Sequence, residues 1–522
     1  MRRQDEIRAG FSNDYLRILD EVSPNERVED AIRRDYARMV EQGGEKLVRC
    51  IWFDQTLKTD SLRAEDGRPV TVHSPGWWNV EAGPDFRNAE FSIDGGEVVR
   101  ADVEVHVLAG DWRRHGHDRD ATYDDVGLHV VLDNDVGDAF AVTVGGKRVP
   151  QLVLGKHLSA DLQEITDAVA PEFRPSGASA PGECAEAVAR AGEEWICRFL
   201  DAAGDRRIEC KAEKFLEQSD TRTPDDVLLE GFMDALGYKQ NRMPFRKLAR
   251  RLPAWELRRF VAEDSSVEER AIRIEAMLFG VAGLLPDESA EHDEETADYL
   301  ARLHQNWRSV ARELGGRALG KGEWRLAGVR PLNRPERRIG AAAGWLAQNL
   351  HTGLFRGLLN AMEIARSAGD DSAVARASVR GLTDYFAPSG DGYWAHRCTF
   401  GGSRLNRFSK LVGNDRAAAV VVNVAIPLML AEARRSRDRR LEEETHAVYS
   451  LMKKLAPNHA TRYVSVRLFG SEDSAKKLIK TARRQQGLQQ LYADFCGYPD
   501  STCGKCLFRR AADRAAGQGV PG

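Results

Sequence analysis

The sequence predicts two fold classes in one chain: a mixed α/β segment towards the N-terminus, and an all-α remainder that ends in a cysteine cluster. Three observations carry this reading. Between residues 45 and 156, short runs alternate apolar and polar positions and are separated by turn-forming clusters such as AEDG, IDGGE and DNDVGD. From Cys184 onward, apolar residues recur at helical spacing, as in DDVLLEGFMDALG and AIRIEAMLFGVAGLL. The 522 residues, 42% hydrophobic and 30% charged, suffice for several cores and exclude a collagen-like, mucin-like or wholly disordered chain.

Residues 1–44 read as an N-terminal helical extension, and the α/β domain follows over 45–156. Its first element, Glu45 to Leu57 (EKLVRCIWFDQTL), has helical periodicity. Pro69 to His73, Phe86 to Ile93, Val98 to Leu108, Gly127 to Leu132 and Ala141 to Val144 fit strands. Residues 157–183, which include SGASAPGE, read as a linker. A helical domain over 184–396, punctuated by Gly237, Gly283 and Pro331, leads to a basic helical region over 397–522. The N-terminus has no apolar core of signal-peptide length. The apolar run Ala417 to Ala431 is interrupted by Asn423 and Pro427 and is shorter than the about 20 residues a bilayer requires. A cytoplasmic protein without membrane association is therefore expected.

Charge is unevenly distributed. From Arg397 to Gly522 there are 23 Lys+Arg against 11 Asp+Glu, a balance of +12, within a chain whose net charge is −4. The remainder is correspondingly acidic. Basic stretches in this end, SRLNRFSK and SAKKLIKTARRQQ, place Arg404, Arg407, Lys410, Lys476, Lys477, Lys480, Arg483 and Arg484 as candidate contacts to a nucleic-acid backbone. Solvated charge is the competing reading. Arg330, Asn333, Arg334, Arg337 and Arg338 form a second basic group, open to phosphate contact or local pairing. The turn through Tyr238, Asn241 and Arg242 reads first as helix capping and packing, with a substrate-facing role as the alternative.

The chemically informative stretch runs from Gly76 to Asp135. In VEVHV, Glu104 and His106 fall on one face of a strand and Val103, Val105 and Val107 on the other. Asp85, in Gly-Pro-Asp-Phe, stands at the mouth of the preceding strand, and Asp94-Gly95-Gly96 folds that strand back as a hairpin. A loop aspartate and a surface strand glutamate would be the non-functional reading. Five of the twelve histidines (His73, His106, His115, His117 and His129) fall within 57 residues in and beside this stretch, which favours a site. In HGHDRD, His115, His117, Asp118 and Asp120 are similar to the zinc motif of metallo-β-lactamase-like hydrolases. Arg119 and Asp120 occupy the places where that motif needs Asp and His.

A strand with Pro-Asp, a hairpin and a strand with Glu-x-base resemble the core of the PD-(D/E)xK nuclease superfamily. The resemblance implies a restriction-endonuclease-like mixed sheet. It also implies Mg²⁺ held by Asp85 and Glu104, activating water and steadying charge on a scissile phosphate. His106 would stand in place of the usual lysine, with Glu45 on the preceding helix or Glu81 assisting. The ordered motifs N-x-x-x-G-P-D-F-x-N-A, V-E-V-H-V and D-W-x-x-H-G-H-x-x-D-x-x-Y-x-x-V-x-L-H-V-V resemble the bacterial family called domain of unknown function 2851. ALGYKQNRMPF, LFGVAGLL, RPLNRPERRI and VVNVAIPLML extend that resemblance over most of the chain. The family's name assigns no activity, so the chemistry rests on the residues.

At the C-terminal end, FCGYPDSTCGKCLF places Cys496, Cys503 and Cys506 in tight turns suited to one metal centre. Cys398 is the expected fourth ligand, with His396 as its substitute, and zinc and a 4Fe–4S cluster are both open. The arrangement is loosely similar to PD-(D/E)xK nucleases that carry one early and three late cysteines. The remaining cysteines, Cys50, Cys184, Cys197 and Cys210, read as small buried hydrophobes. The expectation is a Mg²⁺-dependent nuclease-like enzyme acting on DNA or RNA. Its alternative is a catalytically inactive nucleic-acid-binding or scaffold protein with a structural metal site.

Overall fold

The structure, a computed structural model, describes residues 11, 14–23, 44–58, 61–79, 82–158, 181–218, 221–238, 240–288, 291–326, 328–363, 371–387, 392–496 and 506–517. The chain divides into two compact units, Ser23–Ser179 and Met1–Val22 with Ala180–Gly522. The predicted extension over 1–44 is therefore not one element. Its first helix, α1 (Asp14–Asp20), belongs to the helical unit, where Tyr15 and Leu19 are buried. The Tyr15 hydroxyl donates to Asp494 Oδ2 at 2.5 Å.

Among the described residues, the first helix of the α/β unit is α2 (Gly44–Asp54), whose Val48, Ile51 and Trp52 are fully buried against the sheet. Seven strands follow: β1 (Val70–Ser74), β2 (Trp77–Trp78), β3 (Phe86–Ile93), β4 (Val99–Leu108), β5 (Val126–Asp133), β6 (Phe140–Val142) and β7 (Arg148–Val153). They form one mixed sheet in the order β1-β3-β4-β5-β7-β6, with β2 pairing on β3. β1, β3 and β4 are antiparallel neighbours, β4–β5 and β5–β7 are parallel, and β6–β7 is antiparallel. Five of the strands match the periodicity reading to within two residues. β2 and β7 escape it: β2 is only two residues long, and β7 contains Pro150. The β3–β4 hairpin forms at the expected turn, with Asp94 and Gly95 both at positive φ (58° and 67°), as the right-handed twist of a tight hairpin requires.

β4 lies inside the sheet between β3 and β5, so both of its edges are hydrogen-bonded. Val103 and Val105 pack in the core that contains α2. The opposite side, expected to be a polar surface, is also enclosed: Glu104 is 3% exposed and His106 0%. Burial on both faces is the usual condition of strands with parallel neighbours.

The helical unit shares one large core. Its main helices include α3 (Cys184–Gln218), α4 (Val267–Ala282), α5 (Glu294–Arg308), α6 (Pro335–Asn349), α7 (Asn414–Ser436), α8 (Ala482–Leu491) and α9 (Leu507–Gly517). α8 and α9 both pack on α3, so the predicted boundary between residues 396 and 397 does not separate two domains. Arg337 on α6 strengthens this continuity. It is fully buried and donates to the carbonyls of Trp394, Arg397, Ser409 and Lys410, fastening the 394–410 segment to the helix. α7 is long and apolar enough to cross a membrane by length and composition, but most of it is buried in this core. It runs through Asn423 and Pro427 as one helix because a π-helical turn at Val421–Ala425 absorbs the missing proline donor. Of the predicted linker, residues 159–180 lie outside the described residues.

Candidate functional site

Asp85, Glu104 and His106 do come together, through backbone geometry on β3 and β4. A bulge opens β3 opposite β4 between Phe86 and Ala89, with Asn88 at φ 54° and its N–H bonded to Asp102 Oδ1 at 3.0 Å. This bend carries Asp85 across from β4. The Asp85 N–H donates to Glu104 Oε2 at 3.0 Å, and Val105 N–H donates to Asp85 Oδ2 at 3.2 Å. The other Asp85 oxygen, Oδ1, meets Arg49 Nη2 from α2 at 2.8 Å. Arg49 also pairs with Glu45, so the acidic residue expected on the preceding helix reaches the site through an arginine. Glu81 lies outside the described residues.

The second half of the site is a histidine group. A single helical turn, Asp111–Arg114, follows β4 and buries Trp112. Gly116, at φ 80°, then reverses the chain between His115 and His117, which favours a residue without a side chain. Both rings thereby reach His106: His115 Nδ1 lies 3.1 Å and His117 Nε2 3.2 Å from His106 Nε2. Glu104 Oε1 lies 3.2 Å from His117 Nε2 and 3.6 Å from His106 Nε2. Behind His106, its Nδ1 meets His129 Nε2 at 2.9 Å, and His129 Nδ1 meets Gln151 Oε1 at 2.9 Å. Sheet register makes this alignment: Glu104 is paired with His129, and His129 with Gln151, across three neighbouring strands. Trp112 and Tyr123 enclose the group, with ring centroids 5.1 Å from His129 and 3.8 Å from His117 respectively.

Burial controls the charges. Glu104 is pushed up to about 8, chiefly by burial. Asp85 is also raised, by burial and then by repulsion from Glu104, with Arg49 pulling the other way. Burial lowers His106 and His117, and takes His129 down to about 3, so the buried imidazoles are neutral and can offer lone pairs. Tyr123 is pushed up to about 12 by burial and by the nearby carboxylates.

Four of the five clustered histidines therefore converge, while His73 contacts Ser92 Oγ at 3.4 Å instead. From the HGHDRD motif, only His115 and His117 join the group. Asp120 caps the turn at Thr122 N–H, at 2.9 Å. The sequence reading missed Arg49, His129 and Gln151. The clustering of histidines was the available signal for His129. For the other two no local signal exists, since their role arises from helix-on-sheet packing and strand register.

The basic residues divide. Arg483 is bidentate to buried Asp205, and Arg484 bonds Asp201 and the Leu478 carbonyl, so both are internal ties and not phosphate contacts. Arg404 pairs with Glu295 at 2.8 Å and Lys476 with Asp473 at 2.6 Å. Arg407, Lys410, Lys477 and Lys480 are exposed. Arg334 and Arg338 bond the carbonyls of Leu326 and Leu411 and Arg337 is buried, so these three are internal ties, while Arg330 is exposed. Asn241 bonds the Arg325 backbone in both directions, at 2.9 and 2.8 Å, as the packing reading requires. Cys398 and Cys506 are half-buried. Cys496 is half-buried, and Cys503 lies outside the described residues.

Residues 45–458 match the family described as Protein of unknown function (DUF2851). Comparison with curated proteins and with solved structures returned no match. The family match takes in the whole sheet, the histidine group and most of the helical unit, and the chain belongs to the DUF2851 family.

Proposed function

We propose that the α/β unit is a cation-dependent hydrolase of phosphodiesters, a nuclease-like enzyme acting on DNA or RNA, built on a restriction-endonuclease-like sheet. The observation that carries this reading is the double engagement of Glu104: one oxygen takes the Asp85 N–H, while the other faces His117 and His106. A carboxylate pair from a bent hairpin, joined by imidazoles and by an arginine from the preceding helix, is a constellation suited to phosphoryl chemistry. Asp85 and Glu104 are both raised by burial, so the pair holds a proton at neutral pH unless positive charge is brought alongside. A bound divalent cation supplies that charge, acidifies water and polarises a phosphoryl oxygen. Arg49 holds Asp85 in place, and exposed His115 stands at the solvent side of the group.

Magnesium, the ion implied by the PD-(D/E)xK resemblance, does not suit this donor set. Both oxygens of Asp85 are engaged by Arg49 and the Val105 N–H, and the outward oxygen of Glu104 is flanked by ring nitrogens. Mg²⁺ prefers an all-oxygen octahedral shell. The test is cleavage of single- and double-stranded DNA and RNA by the full chain with Mg²⁺, Mn²⁺ or Zn²⁺. Glu104→Ala is expected to lower the rate by at least about 100-fold, with Asp85→Ala also impaired. Nucleic acid bound equally by wild type and both variants, with no cleavage under any ion, would favour a binding or scaffold protein instead.

A further inference from the structure

We propose that His106 Nε2, His115 Nδ1 and His117 Nε2 form a site for a first-row transition metal, with Glu104 Oε1 beside two of them. In the same proposal, His129 and Gln151 are positioning residues that decide which nitrogen of His106 faces the ion. The assignment rests on the hydrolase reading for its purpose, but not for its chemistry.

Hydrogen-bond direction fixes the relay. The Asp138 carbonyl can only accept, so the Gln151 nitrogen 2.6 Å away donates to it, which leaves Gln151 Oε1 as the acceptor for His129 Nδ1–H at 2.9 Å. His129 Nε2 then carries a lone pair and accepts from His106 Nδ1–H at 2.9 Å. His106 Nε2 is left with a lone pair that points away from the sheet interior towards His115, His117 and Glu104. Ligating histidines characteristically give their second N–H to such a partner, which sets tautomer and ring orientation.

Distances among the three imidazoles agree with a shared ion, and Glu104 adjoins His106 and His117. The three ring nitrogens lie within 4.8 Å of one another. Around them the measured separations are 3.1 Å (His115–His106), 3.2 Å (His117–His106), 3.2 Å (His117–Glu104) and 3.6 Å (His106–Glu104). Bonds of about 2.0–2.1 Å in a tetrahedral shell put neighbouring donors about 3.3 Å apart. Hydrogen bonding alone satisfies the group less well, since the single lone pair of His106 faces two ring nitrogens and a carboxylate oxygen at once. Imidazole-rich sets suit Zn²⁺, Co²⁺ or Fe²⁺.

The test uses Co²⁺ as an optical and calorimetric probe of chelator-treated full-length protein, without nucleic acid. Wild type is expected to bind one more equivalent than His106→Ala, with d–d absorption of low-symmetry coordination, and excess Mg²⁺ is expected not to displace it. Any cysteine-bound cobalt is common to both proteins and cancels in the difference. Because His115 is exposed, His115→Ala keeps the fold, and it is expected to weaken the site at least about tenfold. His129→Phe and Gln151→Leu are expected to weaken it by about 10–100-fold and to mix the two neutral tautomers of His106 in ¹⁵N spectra of the metal-free protein. Folded His115→Ala and His117→Ala binding Co²⁺ like wild type would overturn the site. Unchanged His106 tautomers in the positioning variants would overturn the relay. Cobalt binding without cleavage of any nucleic acid would sink the hydrolase reading and leave the metal site standing.

Discussion

Arg49 settles the charge around Asp85. The carboxylate is 5% exposed and raised by burial and by Glu104, and Arg49 is the cation that opposes this. Removing it by Arg49→Met leaves a buried carboxylate without its counter-charge, at a cost of about 3 kcal/mol at pH 8. The sign with pH follows from the raised Asp85: its protonated form is favoured in the fold, so the penalty shrinks as pH falls and the carboxyl neutralises. Urea denaturation of wild type and variant is expected to show a smaller difference at pH 5 than at pH 8; equal differences would refute the argument. At this scale, Asp85, Glu104 and His106 were legible because Gly-Pro-Asp-Phe and VEVHV place them by local turn and strand geometry. Arg49 was not, because an arginine inside an amphipathic helix carries no mark of the carboxylate it will meet.

α4 and α5 are joined by an unusual buried pair. Glu275 on α4 accepts from the Tyr299 hydroxyl on α5 and is pushed up to about 8 by burial. A carboxyl raised in the fold contributes stability that is present below the usual glutamate range and lost as pH rises through about 8. The helical unit is therefore expected to lose on the order of a few kcal/mol between pH 5 and pH 9. Glu275→Gln, which keeps the shape without the ionisation, is expected to flatten that dependence, read as urea midpoints from helical circular dichroism. An unchanged slope in the variant would remove Glu275 as its source. Element existence was well signalled by periodicity, but the enclosure of both β4 faces was not: alternation along one strand is silent about what its neighbours place over each side.

For the whole molecule, the helical unit is closed by its two ends. α1 enters it through Tyr15, Leu19 and the bond to Asp494, and Arg514 on α9 reaches the Glu21 carbonyl at 2.6 Å. Deleting residues 1–22 strips two buried side chains and one partner of a buried acid. The expected loss is about 3 kcal/mol or more, or roughly 4 °C or more in Tm for this unit. Co²⁺ binding at the histidine group of the other unit is expected to be unaffected; coupled losses in scanning calorimetry and cobalt titration would contradict this division.

The charge asymmetry gains its meaning at the same scale. The chain's basic end is neutralised in part by acids far away in sequence: Arg483 by Asp205, Arg484 by Asp201, Arg434 by Glu209, and Arg397 by Asp293 and Glu295. By itself the sequence determined the order of a mixed sheet and a helical unit, the hairpin and the region of the site, since turn chemistry and the two- and 3.6-residue periods are local properties. Only the tertiary structure decided that three histidines converge beside Glu104, that His129 and Gln151 line up behind His106, and that several arginines face inward. Those outcomes depend on strand register and on pairings across tens to hundreds of residues, which no local pattern encodes.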